Sequence, residues 1–216
     1  MRYRKKTEYS WSPQIAYSVG LIASDGCLSS DGRHIDLTSK DIDQLDNFQR
    51  AIGKSISVSE KSNGSKGKSL RIQFSDVAYY DFLLTVGLMP NKSKILPELH
   101  IPDEYYAHFL RGLFDGDGTT YAFHDPRWPV SYMYYIAYSS ASRLFIEYIS
   151  STNIRLLDVK GASIRHAARA FSLVYAKADA HLLYSAMYKD SEDLFLIRKR
   201  KKLEGFVRMN GGDIIS

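Results

Sequence analysis

Residues Phe109 to Tyr121 read FLRGLFDGDGTTY, an apolar run that closes on two aspartates and three glycines. The run reads as a buried helix, yet its last turn carries carboxylates. A carboxylate there faces the negative end of the helix macrodipole, at a cost of up to about 1 kcal/mol. Some other group must offset that cost. A second stretch, YSVGLIASDG from Tyr17 to Gly26, repeats the pattern. Gly20 matches Gly112, Leu21 matches Leu113, and Asp25-Gly26 matches Asp117-Gly118 at an offset of 92 positions. Asp115 has Ala23 as its counterpart, so a role performed once per half falls to Asp25 and Asp117, and Asp115 is left as a local capping or hydrogen-bonding residue.

The elements around the two stretches repeat as well. Ser12 suits an N-cap and Pro13 the first helical position, with Ile15, Val19 and Ile22 at helical spacing and Gly26 just past the end. CLSSDGRHIDLTS reads as a hairpin turning at Asp31-Gly32. DIDQLDNFQRAIG reads as a helix with Ile42, Leu45 and Phe48 on one face and Gly53 as its stop. SISVSEKSNGSKGKSLRIQFS alternates as a second hairpin, and VAYYDFLLTVGL makes a third helix. After the proline-bearing MPNKSKILPELHIPDEY, the order restarts at EYYAHFLRGLFDGDG with the hairpin TTYAFHDPRWPVSYMYYIAYSS. The helix ASRLFIEYISST, the strands LLDVKGASIRHAARAFSLVYA and the helix ADAHLLYSAMYKD follow. The expected fold is α+β, a tandem αββαββα repeat, with an N-terminal half 1–88, a linker 89–104 and a C-terminal half 105–216 ending in a basic tail.

The 216 residues carry a net charge of +5, gathered in RYRKK, KSNGSKGKSLR, RHAAR and RKRKK. Together with 16 tyrosines and 10 phenylalanines, this suits a polyanion-binding surface. One cysteine, Cys27, excludes an internal disulfide framework and a cysteine-based zinc site. It also fits a reduced, intracellular setting: cytoplasm, nucleoid or an organelle matrix. No apolar run reaches the about 18 residues of a membrane span, and the basic N-terminus lacks the apolar core of a secretory signal. The six histidines form no metal-ligand cluster.

Gly20 and Ser24 sit four apart, as do Gly112 and Gly116, so each motif helix carries a small-residue stripe that permits close backbone approach. If the two helices pack together, Asp25 and Asp117 meet at their ends and repel, which raises their pKa values. Divalent cations relieve that conflict, and hard oxygen ligands suit magnesium. Paired carboxylates sharing metals near a phosphate are the parts of phosphodiester hydrolysis.

YSVGLIASDG and FLRGLFDGDG resemble the two copies of the motif that names the LAGLIDADG homing endonucleases. The resemblance runs from about Ile15 to Lys202 and includes the linker NKSKILPELHIPDEYYAHFLRGLFDGDG, similar to that of single-chain members. It implies a pseudo-twofold monomer with the motif helices at its axis and two four-stranded antiparallel sheets forming a saddle along the major groove. It implies a long, partly asymmetric double-stranded DNA target, cut across the minor groove to leave short 3′ overhangs. Asp25 and Asp117 would bind the catalytic metals: Mg2+, with Mn2+ as substitute and Ca2+ supporting binding without cleavage. The family's accessory lysine falls on Lys177, with Val77 beside Asp76 at the matching first-half position. Its polar residue at the end of the second strand falls near Ser39 and Ser140. Ala23 departs from the usual first aspartate of the motif. Relatives of this fold also act as transcription factors or RNA-binding intron maturases without cutting. Those are expected to lose one or both motif acids.

Strand alternation sorts the remaining candidates. Leu70, Ile72 and Phe74 should face the helices, leaving Arg71 and Gln73 toward DNA; Ile35 and Leu37 point inward, His34 and Asp36 outward. Lys61, Lys66 and Lys68 read as lying in a flexible hairpin loop and suit phosphates. Arg165, His166, Arg169, Arg127 and Trp128 are the second-half candidates. IRKRKKLEGFVR reads as a basic tail, flanking phosphates or solvated.

Overall fold

The fold is described from a computed structural model over residues 8–62, 68–124, 126, 132–167, 169–191 and 194–215. The Ser12 side chain accepts a hydrogen bond from the Ile15 N–H at 3.2 Å, and Pro13 opens helix α1 (Pro13–Asp25). Every residue from Ile15 to Ala23 is buried, which is the property of a central helix. Helix α4 (Tyr106–Asp117) is its counterpart, buried from Phe109 to Asp115. The two pack directly on each other. A Cβ on Gly20 would overlap the Phe109 carbonyl oxygen, and one on Gly112 the Tyr17 carbonyl oxygen. Glycine is required there for approach, not for an unusual φ. Gly26 and Gly118 stand just past the ends of their helices, and both are extended, at φ −88° and −75°. Their missing side chains leave room for Ile22 and Phe114.

Each half adds the same series. The first has β1 (Gly26–Leu28), β2 (His34–Ser39), α2 (Ile42–Ile52), β3 (Val58–Ser62), β4 (Lys68–Ser75) and α3 (Val77–Val86). The second has β5 (Thr119–His124), β6 (Tyr132–Ser140), α5 (Arg143–Leu157), β7 (Ser163–Ala167), β8 (Ala170–Ala176) and α6 (Lys177–Tyr188). The strands form two antiparallel four-stranded sheets, ordered β1-β2-β4-β3 and β5-β6-β8-β7. Gly32 takes φ 78° in the β1–β2 turn and Gly53 φ 64° at the end of α2, as their positions demand. Ile35, Leu37, Ile72, Ile136, Leu173 and Tyr175 are fully buried on the helix-facing sides of the sheets. On α2, Leu45 and Phe48 are buried but Ile42, at its first turn, stays 44% exposed.

Two stretches differ from expectation. Leu156 and Leu157, read as strand, complete helix α5, so the strands begin at Ser163. The basic tail is helix α7 (Ile197–Met209), and one face of it packs against the fold. Leu203 and Val207 bury one face together with Lys199, while the other basic residues occupy the rest of the circumference.

The halves are locked by polar contacts that cross between them. The buried Tyr17 hydroxyl donates to Asp115 Oδ2 at 2.8 Å, and the Leu196 N–H donates to the same oxygen at 2.9 Å. Asp115 is therefore a partner across the interface rather than a local cap. Burial pushes its carboxyl up to about 6. Within the second half, Arg111, also buried, donates to the Leu194 and Met187 carbonyls. At the entry to α7, Arg198 pairs with Asp41 through two bonds of 2.9 and 2.6 Å, and Asn47 Nδ2 donates to the Phe195 carbonyl at 2.9 Å. No helix among the described residues is long and apolar enough to cross a membrane.

Candidate active site and nucleic-acid interface

Because α1 and α4 touch at their glycines, their C-terminal ends lie side by side. A Cβ on Gly116 would overlap the Ser24 side chain and stand 3.2 Å from Asp25 Oδ2. The Asp25 carboxylate thus lies against the end of α4, and each motif aspartate feels the other half. Removal from water holds the Asp25 carboxyl above its ordinary range, opposed by a hydrogen bond from Gln44 and by the charges of Lys199 and Lys92. Asp117 keeps a solvent-facing side, but the protein packed around it and the Asp25 charge push its carboxyl up to about 6.

The supports of the two acids are unequal. Gln44 Nε2 donates to Asp25 Oδ2 at 2.8 Å, and its Oε1 accepts from the Ser39 hydroxyl at 2.8 Å. A cavity of about 280 Å³ opens beside this chain, lined by Asp25, Thr38, Ser39, Gln44, Gly116 and Arg198. In the second half, Ser140 Oγ accepts from the Ser142 N–H, and Phe145 takes the position matching Gln44.

Two lysines answer the cost of placing acids at helix C-termini. Lys92, from the linker, donates to the Gly26 carbonyl at 2.7 Å. Lys199, from α7, donates to the Phe114, Gly116 and Gly118 carbonyls at 2.7, 2.9 and 2.7 Å. Both are buried, and both have pKa values lowered by desolvation, Lys199 to about 8. Each places an ammonium where the dipole is most negative. Neither was among the site residues expected from the sequence. The accessory lysine expected there, Lys177, is not brought to the acids. Lys177 follows Ala176, whose partner on β6 is Tyr135, and Tyr135 pairs with Tyr121 on β5. That register sets Lys177 roughly 15 Å along the strands from Asp117. Its side chain instead lines an apolar cavity with Met133, His181 and Val207.

Lys199→Met should leave three carbonyls at the end of α4 without a partner. A net loss of about 3 kcal/mol is expected, since hydrogen bonds to a charged group are the stronger kind. Thermal unfolding should show a clearly lower Tm. An unchanged Tm would mean that those carbonyls find water instead.

The remaining candidates divide by strand face. On the first sheet, His34, Asp36, Arg71 and Gln73 lie opposite the core residues Ile35, Leu37 and Ile72, as does Lys61, whose partner is Ser69. Arg71 is ion-paired with Asp36, and His34 Nδ1 makes a side-chain hydrogen bond with Asp31 Oδ2. Lys68 takes the parity of Leu70 and Ile72, and it pairs with Glu60 at 2.7 Å. On the second sheet, Arg165, paired with Ser172, has the parity opposite the helix-facing core. His166 does not: it pairs with Phe171 on the helix side, with ring centroids 4.8 Å apart. Neighbours along a strand alternate, so Arg165 and His166 cannot share a face. Arg169 sits exposed in the β7–β8 turn. Lys66, Arg127 and Trp128 lie outside the described residues.

No profile of a known protein family matches the chain, and no curated protein does. Solved structures do. The homing endonuclease I-WcaI bound to its DNA recognition sequence superposes with a TM-score of 0.61 at 14% identity, over 89% of this chain and 88% of that one. The N-terminal LAGLIDADG domain of DUF199/WhiA gives 0.55 at 16%, over 89% and 88%. Full-length DUF199/WhiA from Thermatoga maritima gives 0.59 at 15%, over 95% of this chain, which spans 64% of that protein's length. The protein has the LAGLIDADG fold.

Proposed function

We propose that the protein is a monomeric, site-specific double-strand DNA endonuclease. The observation that carries this reading is the meeting of Asp25 and Asp117, one from each half, at the ends of the packed motif helices. Two hard carboxylates with raised pKa values fit divalent cations of the magnesium type, and among the described residues no third acidic, histidine or cysteine side chain joins them in a metal-holding group. Asp25 and Asp117 would hold the metal, which when bound would activate water and stabilise the charge of the phosphodiester under attack. Gln44 fixes the Asp25 carboxylate, and Lys92 and Lys199 hold positive charge at the helix ends where a phosphate would approach. The two sheets carry different side chains on their outer faces, which suits a long, asymmetric target.

A second reading is favoured by the same lysines. They already offset part of the acid pair's charge, so the pair does not demand a metal. The protein would then bind nucleic acid without cutting it, as a DNA-binding regulator or an RNA-binding maturase.

Selection of a bound duplex from a randomised pool in Ca2+, followed by transfer to Mg2+ or Mn2+, separates the two. Cleavage with short 3′ overhangs in Mg2+ supports the nuclease. Stable, specific binding with no cut in any divalent metal moves the assignment to the binding protein.

The acid pair also bears on stability without metal. The folded pKa of Asp117, about 6, lies above its ordinary value of 3.8. The charged form therefore costs stability, a cost absent below pH 4, growing as pH rises through 6 and complete above it. Asp117→Asn should raise the Tm of the metal-free protein at pH 7.5 and lose that advantage toward pH 4. A lower Tm at pH 7.5 would show that the two helix ends do not repel.

A further inference from the structure

The groove-side faces of the two sheets differ in chemistry, and the difference is concentrated in three rings. On the first sheet that face carries His34, Asp36, Thr38, Arg71 and Gln73. On the second, Tyr121 sits directly across from Tyr135, with ring centroids 5.1 Å apart and planes inclined by 15°. Phe123 stacks on the same Tyr135 at 5.6 Å and 14°. All three have the opposite parity to Thr120, Tyr134 and Ile136, which are buried toward the helices. Phe123 remains 45% exposed. Ala137 and Val174 share this parity but are buried, whereas Ala176 is exposed, and Arg165 is the face's cation among the described residues.

We propose that the second sheet reads thymine methyl groups in the major groove of its half-site through Tyr121, Phe123 and Tyr135, whereas the first sheet reads its half-site by polar contacts. This rests on the DNA-binding reading above. Two features of the rings choose this occupant over an unpaired base. Rings stacked in near-parallel planes have their faces turned to one another, so a base finds no free face between them, whereas stacking platforms for single strands leave the faces open. What the stack presents outward is ring edge, wholly apolar at Phe123 and hydroxyl-tipped at Tyr121 and Tyr135; its carbon edges suit the 5-methyl group of thymine, the apolar mark in the major-groove pattern of donors and acceptors. The rings lie on the face of their sheet opposite its helix-packed side, as Arg71 and Gln73 do on the first sheet, and the protein's net charge of +5 suits a polyanion there.

The test uses the duplex enriched by selection. Thymines are replaced by deoxyuridine in one half-site at a time, which removes the methyl group and leaves every hydrogen-bonding atom. Binding in Ca2+ is expected to weaken by about fourfold for each contacted methyl when one half is substituted, and to stay unchanged for the other half. Phe123→Ser and Tyr135→Ser should bind the thymine and deoxyuridine duplexes equally. Far-ultraviolet circular dichroism and Tm check that these surface variants stay folded, and the ratio between the two duplexes is independent of the active fraction. Equal affinity of the unaltered protein for all the duplexes overturns the proposal. So does tighter binding of single-stranded RNA or DNA that depends on the same rings. If no duplex is enriched at all, the DNA-binding reading fails first and takes the proposal with it.

Discussion

Gly112→Ala should lower the Tm by roughly 10 °C or prevent folding. The added Cβ falls on the Tyr17 carbonyl oxygen and stands 3.2 Å from the Gly20 Cα, all backbone atoms of a facing helix. A flexible side chain could swing away; a helix backbone with Ile15 to Ala23 fully packed around it cannot. The helices must separate, and the cost exceeds the about 3 kcal/mol at the upper end of ordinary overpacking. For a chain of this size each kcal/mol moves Tm by about 2–4 °C. Gly20→Ala meets the Phe109 carbonyl and should behave alike. Gly205, inside α7, is the control, because a Cβ added there would meet nothing within 4 Å. Alanine at that position should be neutral or stabilising by up to about 1 kcal/mol. Melting curves of the three variants measure the effect directly. If Gly112→Ala melts with the unaltered protein, the helix pair has slack that its packed glycines do not show.

The second large effect concerns cleavage. Asp25→Asn and Asp117→Asn should each reduce magnesium-dependent cutting by on the order of a thousandfold, the loss of several kcal/mol of charge stabilisation. Binding in Ca2+ should weaken far less, since in the proposed reading the sheets supply most of the contact. The two variants should differ in the metal-free state. Asn at position 25 can keep a hydrogen bond with Gln44, while Asn at 117 chiefly removes the charge that faces Asp25. Single-turnover cleavage of a labelled duplex, with each strand followed separately, checks the prediction. Retained cleavage of both strands in either variant would remove that aspartate from the reaction.

Much of the fold was legible because its determinants are local. Ser12-Pro13, Asp31-Gly32 and Gly53 punctuate the chain by rules that act within a few residues. The matched glycines announce the helix contact in the sequence itself. The lysines were hidden for the opposite reason. Lys92 stands in a linker and Lys199 in a basic run, and each finds its carbonyls through the tertiary fold. One clue was present: Leu196, Lys199, Leu203 and Val207 fall on a single helical stripe, in which a lone lysine among apolar residues signals a buried ammonium. Charge density masked that periodicity and made a packed helix look like a solvated tail. Gln44 escaped notice because a glutamine inside an amphipathic helix carries no motif; only the return of α2 toward the end of α1 gives it Asp25. The placement of His166 was decided by strand register, which composition does not encode.

The seam between the halves also sets the terms on which they can be exchanged. A duplicated chain invites recombination, with one half replaced by another. Here the seam is written in paired residues: Tyr17 with Asp115, Asp41 with Arg198, Asn47 with the Phe195 carbonyl. A graft cut in the linker would therefore inherit a mismatched lock unless the incoming half brings Asp115 and the 194–199 segment as one cassette. The sheets are free to diversify, and the seam is the part that must be transplanted whole.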